Sequence, residues 1–94
     1  MYGLVYTDKA REQYEALDAR LKRQVDKGLE RIRQNPQLGK PLRGELRGIW
    51  SERVATFRIL YKIQNKEVEV VILVIEHRKS VYGAQDPSVN HLII

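Results

Sequence analysis

Arg53, Arg58 and Arg78, followed by Tyr82, are the residues whose types and spacing best suit chemistry in this chain. They sit in R-V-A-T-F-R-I-L-Y-K-I, a strongly apolar stretch, and then H-R-K-S-V-Y. Read as strands, these segments form a meander that gathers the three arginines near one sheet surface and ends in Tyr82. If Val54 and Phe57 close a tight hairpin over Ala55-Thr56, Arg53 falls opposite Arg58, and a four-residue loop keeps that register. Like charges directly across a sheet are unfavourable. An anion placed between them repays the cost through charge-assisted hydrogen bonds. The plainer alternative makes Arg53 and Arg58 solvated edge residues paired with Glu52, Glu69 or Glu76. On that reading Tyr82 caps the core and His77 is a strand-end hydrogen-bonder.

Missing motifs narrow the chemistry. There is no Gly-rich phosphate loop, no H-E-x-x-H, no G-x-S-x-G and no zinc spacing. With two histidines and no clustered carboxylates, a metal hydrolase is a poor fit, and neither metal nor cofactor is expected. Arginine, tyrosine and histidine suit phosphoryl chemistry on RNA. The ribose 2′-hydroxyl brings its own nucleophile, so the protein need only orient it, neutralise charge and move protons.

The elements that would position these groups follow from periodicity. Tyr2 to Tyr6 alternates as a short strand. Thr7 suits a helix N-cap with Asp8 in the first turn. Ala10, Tyr14, Leu17, Leu21, Val25, Gly28 and Ile32, with Leu29 beside them, form one apolar stripe. Asp18 can cap a second helix from Ala19, folding the stripe into a helix hairpin, and Asn35-Pro36 ends it. Pro36 to Gly48 reads as a loop carrying Lys40, Arg43 and Arg47. Strands are expected near Ile49 to Val54, Phe57 to Ile63 and Val68 to Glu76. The tail from Val81 reads as a short helical turn or an extended arm.

Side-chain alternation puts Phe57, Ile59, Tyr61 and Ile63 on the core face, and Arg58, Leu60 and Lys62 on the other. A two-residue loop at Asn65-Lys66 would set Arg58 opposite Leu73 and Leu60 opposite Val71. Leu60, Val71 and Leu73 would then make an apolar strip beside the arginines, a pattern that marks protein-binding surfaces. Trp50 reads as core.

Ninety-four residues make one domain, 1–94, with a two-layer core. The net charge of +5 suits a polyanionic or an acidic protein partner. Without cysteine there is no disulfide, which fits a reducing compartment. The start lacks a signal-peptide pattern, and Val70 to Ile75 is too short to span a membrane. A cytosolic protein is the expectation.

Nearly the whole chain resembles the RelE/ParE superfamily of toxins. The resemblance is carried by the opening strand, the helix pair, P-L-R-G-E-L-R-G-I-W, R-V-A-T-F-R-I-L-Y-K-I and H-R-K-S-V-Y in that order. It implies an α+β fold, with an N-terminal strand and a helix hairpin on a small antiparallel sheet. It also implies a toxin of a type II toxin–antitoxin pair. In the RelE branch the activity is metal-independent endoribonuclease cleavage of mRNA in the ribosomal A site. The ParE branch poisons DNA gyrase instead. Arg58 and Arg78 match the RelE phosphate-binding and transition-state arginines, and Tyr82 matches the C-terminal tyrosine. Arg53 stands where the family pattern has a lysine, and Ser51 departs from a second lysine. Glu52 and His77 would share proton transfer. Lys40, Arg43, Arg47 and Lys79 would contact RNA. Leu60, Val71 and Leu73 would receive the antitoxin. The implied partners are the cognate antitoxin, the ribosome and mRNA, with operator DNA reached only through the antitoxin complex.

Overall fold

The computed structural model describes residues 1–77, so Arg78, Lys79, Tyr82 and the tail lie outside the described residues. The chain opens with β1 (Gly3–Tyr6), then α1 (Asp8–Glu15) and α2 (Ala19–Gln34). A two-residue strand, β2 (Lys40–Pro41), precedes β3 (Trp50–Val54), β4 (Phe57–Gln64) and β5 (Glu69–His77). They form one five-stranded sheet in the order β1-β5-β4-β3-β2. Neighbours from β2 to β5 are antiparallel, whereas β1 joins β5 in parallel. The helix pair between β1 and the rest permits that parallel return, which a tight turn could not make.

Both helix starts are capped as their sequences require. The Thr7 hydroxyl accepts from the Ala10 N–H at 3.0 Å, and Asp18 accepts from the Leu21 N–H at 2.9 Å. Each satisfies an N–H that the helix itself cannot. The apolar stripe then meets the sheet: Ala10, Val25, Leu29 and Ile32 join Val54, Phe57, Ile59, Tyr61, Val70, Ile72 and Ile75 in one core.

Gly28 allows the close approach of α2. A Cβ there would lie 2.8 Å from Val54 Cγ1 and 3.2 Å from Ile59 Cδ1. Val54 is β-branched and has little freedom to yield. Gly28→Ala therefore brings an overpacking cost of about 1–3 kcal/mol against a helix-propensity gain of about 1 kcal/mol. We expect a lowered urea midpoint with unchanged slope, a net loss of up to about 2 kcal/mol.

Tyr61 ties the sheet to the turn after α2. It is fully buried, and its hydroxyl donates to the Pro36 carbonyl at 2.8 Å. Burial, and secondarily the Glu52 carboxylate, push the phenol up to about 12. Because the folded value exceeds the ordinary one, the protonated phenol is the form the fold favours. Its contribution is fully present below about pH 10 and is lost as pH rises toward about 12. Unfolding midpoints measured across that window should fall more steeply in the native protein than in Tyr61→Phe.

The register between β4 and β5 differs from the two-residue-turn expectation. The chain reverses through a 3₁₀ turn at Asn65–Glu67 and leaves it at Val68, whose φ of 52° is left-handed. Gln64 pairs with Glu69, which moves the partners along by two. A bulge then leaves Leu73 between Ile72, opposite Tyr61, and Val74, opposite Leu60. Arg58 therefore faces Glu76, not Leu73, and Leu60 faces Val74, not Val71. α1 and its N-cap residue hold the bulge. The Thr7 hydroxyl donates to the Leu73 carbonyl at 2.8 Å, and Gln13 Oε1 accepts from the Ile75 N–H at 2.8 Å.

Candidate functional site

The hairpin closes as its residues suggest: Val54 pairs with Phe57 across Ala55-Thr56, and Arg53 pairs with Arg58. Ala55 takes the left-handed conformation, φ 52°, that a tight reversal demands. The two arginines stand on the face away from the helices, because their neighbours Val54, Phe57 and Ile59 fill the core. Directly opposite residues have Cβ atoms about 4.5–5.5 Å apart, so both guanidiniums can reach one anion. Arg53 is exposed. The Arg58 side chain is 31% exposed, and its Nη2 lies 3.7 Å from Glu76 Oε2. Arg58 Nε is buried and makes no hydrogen bond among the described residues. The exposed part of the guanidinium is what a phosphate oxygen could meet, through charge-assisted hydrogen bonds.

The surrounding cations fall on the same side. Lys40 pairs with Ser51 on β3, in the row next to Arg53's same-face neighbours. Arg43 and Arg47 belong to a loop that folds over this face, since Leu42, Leu46 and Ile49 pack on Leu60 and Val74. Lys62, two residues from Leu60, is exposed on this face as well. Its position in the strand marked it as a member of the arginine face, but it carries no motif that singles it out.

Other expectations are corrected here. Leu60 is not part of an open apolar strip: it is 1% exposed, covered by the 42–49 loop of its own chain. Leu73, at the bulge, packs against the same small cluster. Of the three residues expected to receive an antitoxin, Val71 and Leu73 stay half-buried, Val71 paired with Lys62 and Val5. Glu52 points to the helix side, where Arg31 Nε donates to its Oε2 at 2.8 Å. The same guanidinium donates through Nη2 to the Arg53 carbonyl at 3.2 Å. Arg31 thus fastens the back of the strand that presents Arg53, a part it plays through tertiary contact that helical periodicity does not announce. His77 ends β5, its ring edge-on to Phe57 with centroids 5.1 Å apart. Its Nε2 lies 3.2 Å from the Thr56 hydroxyl. No group of three or more histidines, cysteines, aspartates or glutamates able to hold a metal occurs among the described residues. No helix among them is long and apolar enough to cross a membrane.

A five-stranded sheet with two helices packed on it is the arrangement of a small toxin of the RelE/ParE superfamily. The family model for the ParE toxin of type II toxin–antitoxin systems, parDE, matches residues 4–82, and the chain belongs to that family. Among individual relatives, Toxin RelG of Mycobacterium tuberculosis is 48% identical over 46 residues. That match spans 49% of this chain and 53% of RelG, about half of each. The toxin–antitoxin complex RelBE2 of Mycobacterium tuberculosis contains a chain 37% identical to this one. Its TM-score is 0.75, with 82% of this chain and 91% of that chain covered. The isolated RelE toxin of E. coli is 20% identical with a TM-score of 0.71, covering 95% of this chain and 99% of its own, and shares the fold.

Proposed function

We propose that this toxin is an endoribonuclease that cleaves mRNA on the ribosome, in the manner of the RelE branch, and is neutralised by a cognate antitoxin. The observation that carries this reading is the Arg53–Arg58 pair, set directly opposite on the sheet face away from the helices, with Arg53 exposed and the Arg58 side chain 31% exposed. The likeness to RelG and to the toxin–antitoxin complex RelBE2 supports it.

In this mechanism Arg58 holds the scissile phosphate, and Arg78 meets the charge that develops on it or on the leaving oxygen. The 2′-oxygen attacks phosphorus, the P–O5′ bond breaks, and a proton passes from the 2′-hydroxyl to the 5′-oxygen. The products are a 2′,3′-cyclic phosphate and a 5′-hydroxyl. Tyr82, the residue that matches the family's C-terminal tyrosine, would orient or deprotonate the 2′-hydroxyl, with Arg53 assisting. A free tyrosine with a pKa of about 10 is a weak base at neutral pH, so neighbouring arginines would have to lower it. His77, at the strand end beside the hairpin, is retained as a proton carrier. Glu52 is not, because Arg31 engages it on the far side of the sheet. Lys40, Arg43, Arg47 and Lys62 would track the RNA backbone. The chemistry as drawn calls on no metal.

The match to the ParE toxin family supports a second reading, in which the same surface binds DNA gyrase without chemistry. Induced expression followed by mapping of mRNA 5′ ends tests the first. The nuclease reading expects new ends during growth arrest, and their loss with Arg58→Ala. Intact mRNA in arrested cells, with Arg58→Ala no less toxic, contradicts it.

A further inference from the structure

We propose that Glu76 is the positioning residue for Arg58, a buried counter-charge that aims the guanidinium and moderates its hold on an anion. Arg53, Arg58 and Glu76 form one cross-strand row over β3, β4 and β5. Glu76 is 1% exposed, yet it shares the face that carries the arginines. It reaches that face only because of the bulge. In a regular strand it would share a face with Val70 and Ile72, toward the helices, since a one-residue slip reverses every side chain. Bulges commonly re-aim side chains beside functional sites. Here Thr7 and Gln13 of the α1 segment hold the bulge with hydrogen bonds of 2.8 Å each.

A carboxylate this deeply buried is a poor device for stability, because desolvation offsets the attraction it gains. Its distance suggests another use. At 3.7 Å from Arg58 Nη2, Glu76 Oε2 attracts the guanidinium without a short hydrogen bond to it. The exposed part of the Arg58 guanidinium is left for an outside ligand, while the side chain is drawn toward one position. The carboxylate also cancels part of the charge of the arginine pair. Phosphate is then bound less tightly but aimed better, which favours turnover over ground-state binding.

This rests on the reading of Arg58 as the phosphate-holding group, and two readouts separate the two claims. Affinity is measured by anisotropy with a short RNA whose scissile 2′-hydroxyl is replaced by hydrogen. Turnover is measured on mRNA-programmed ribosomes. Glu76→Gln should bind the probe about 2- to 5-fold tighter, the range for a partly exposed charge pair. Its turnover should fall about 10- to 100-fold, the size expected when a reacting group is misaimed. Glu76→Asp keeps the charge but withdraws it, so affinity should stay near that of the native protein while turnover falls. In an Arg58→Ala background, Glu76→Gln should change both quantities much less than it does in the native protein. Unchanged affinity and turnover in Glu76→Gln overturn the proposal, as does an effect that persists in full without Arg58. If Glu76→Gln does not fold, native turnover in Glu76→Asp overturns it. If the native protein cleaves no RNA, the nuclease reading fails, and an Arg58-dependent affinity change still upholds Glu76 while its absence overturns it.

Discussion

Replacing Arg58 with alanine should lower ribosome-dependent RNA cleavage by about 10²- to 10³-fold, the usual effect of removing one preorganised donor from a developing negative charge. The loss should appear mainly in the rate at saturating ribosome, because Arg53, Lys40, Arg43, Arg47 and Lys62 still supply attraction for the backbone. The substitution also takes a counter-charge from buried Glu76, so some stability will be lost. The Arg58 side chain is 31% exposed and solvent screens the pair, which keeps that loss smaller than for an enclosed one. Thermal unfolding beside the rate assay separates the two effects. A protein that melts near the native temperature yet has lost cleavage shows that Arg58 acts on substrate. Cleavage within a few-fold of native would remove Arg58 from the chemistry.

Leu60→Ala should cost about 2–5 kcal/mol of stability, the range for deleting a buried leucine side chain. Leu60 is 1% exposed and lies between β4 and the 42–49 loop, with Ile49, Val74, Leu42 and Leu46 around it. That small cluster is separate from the main core, and it fastens the loop that carries Arg43 and Arg47. A truncated Leu60 should therefore loosen this loop before the rest of the sheet. Urea unfolding gives the global cost, and amide exchange at Leu42, Leu46 and Ile49 locates it. Antitoxin affinity of the folded fraction should change little, since the side chain is already covered by its own chain. A stable Leu60→Ala protein with weakened antitoxin binding would instead restore Leu60 as a surface anchor.

The fate of Leu60 shows where sequence reasoning stopped. Local signals were sufficient for the two helix caps at Thr7 and Asp18, for the helix stripe, and for the Val54–Phe57 hairpin. Each depends on residues only a few positions apart. The Arg53–Arg58 pairing followed because a hairpin sets its own register. The pairing of β4 with β5 did not, because two non-local features decide it. The 3₁₀ turn at Asn65–Glu67 needs Val68 in a left-handed conformation, which a β-branched residue rarely adopts. The bulge at Leu73 lies in an unbroken apolar run, and only its bonds to Thr7 and Gln13 explain it. Those two features bring Glu76 to Arg58 and Val74 to Leu60. Likewise, Lys40–Pro41 is too short a strand to leave a periodic trace, and it pairs with β3 through tertiary placement alone.

The most direct test of the account places one preparation of purified protein in two assays: mRNA-programmed ribosomes, and supercoiling by DNA gyrase. The account predicts cut mRNA with 2′,3′-cyclic phosphate and 5′-hydroxyl ends, together with undiminished supercoiling. Inhibited supercoiling with the mRNA left intact would contradict it and establish the arginine face as a binding surface without chemistry.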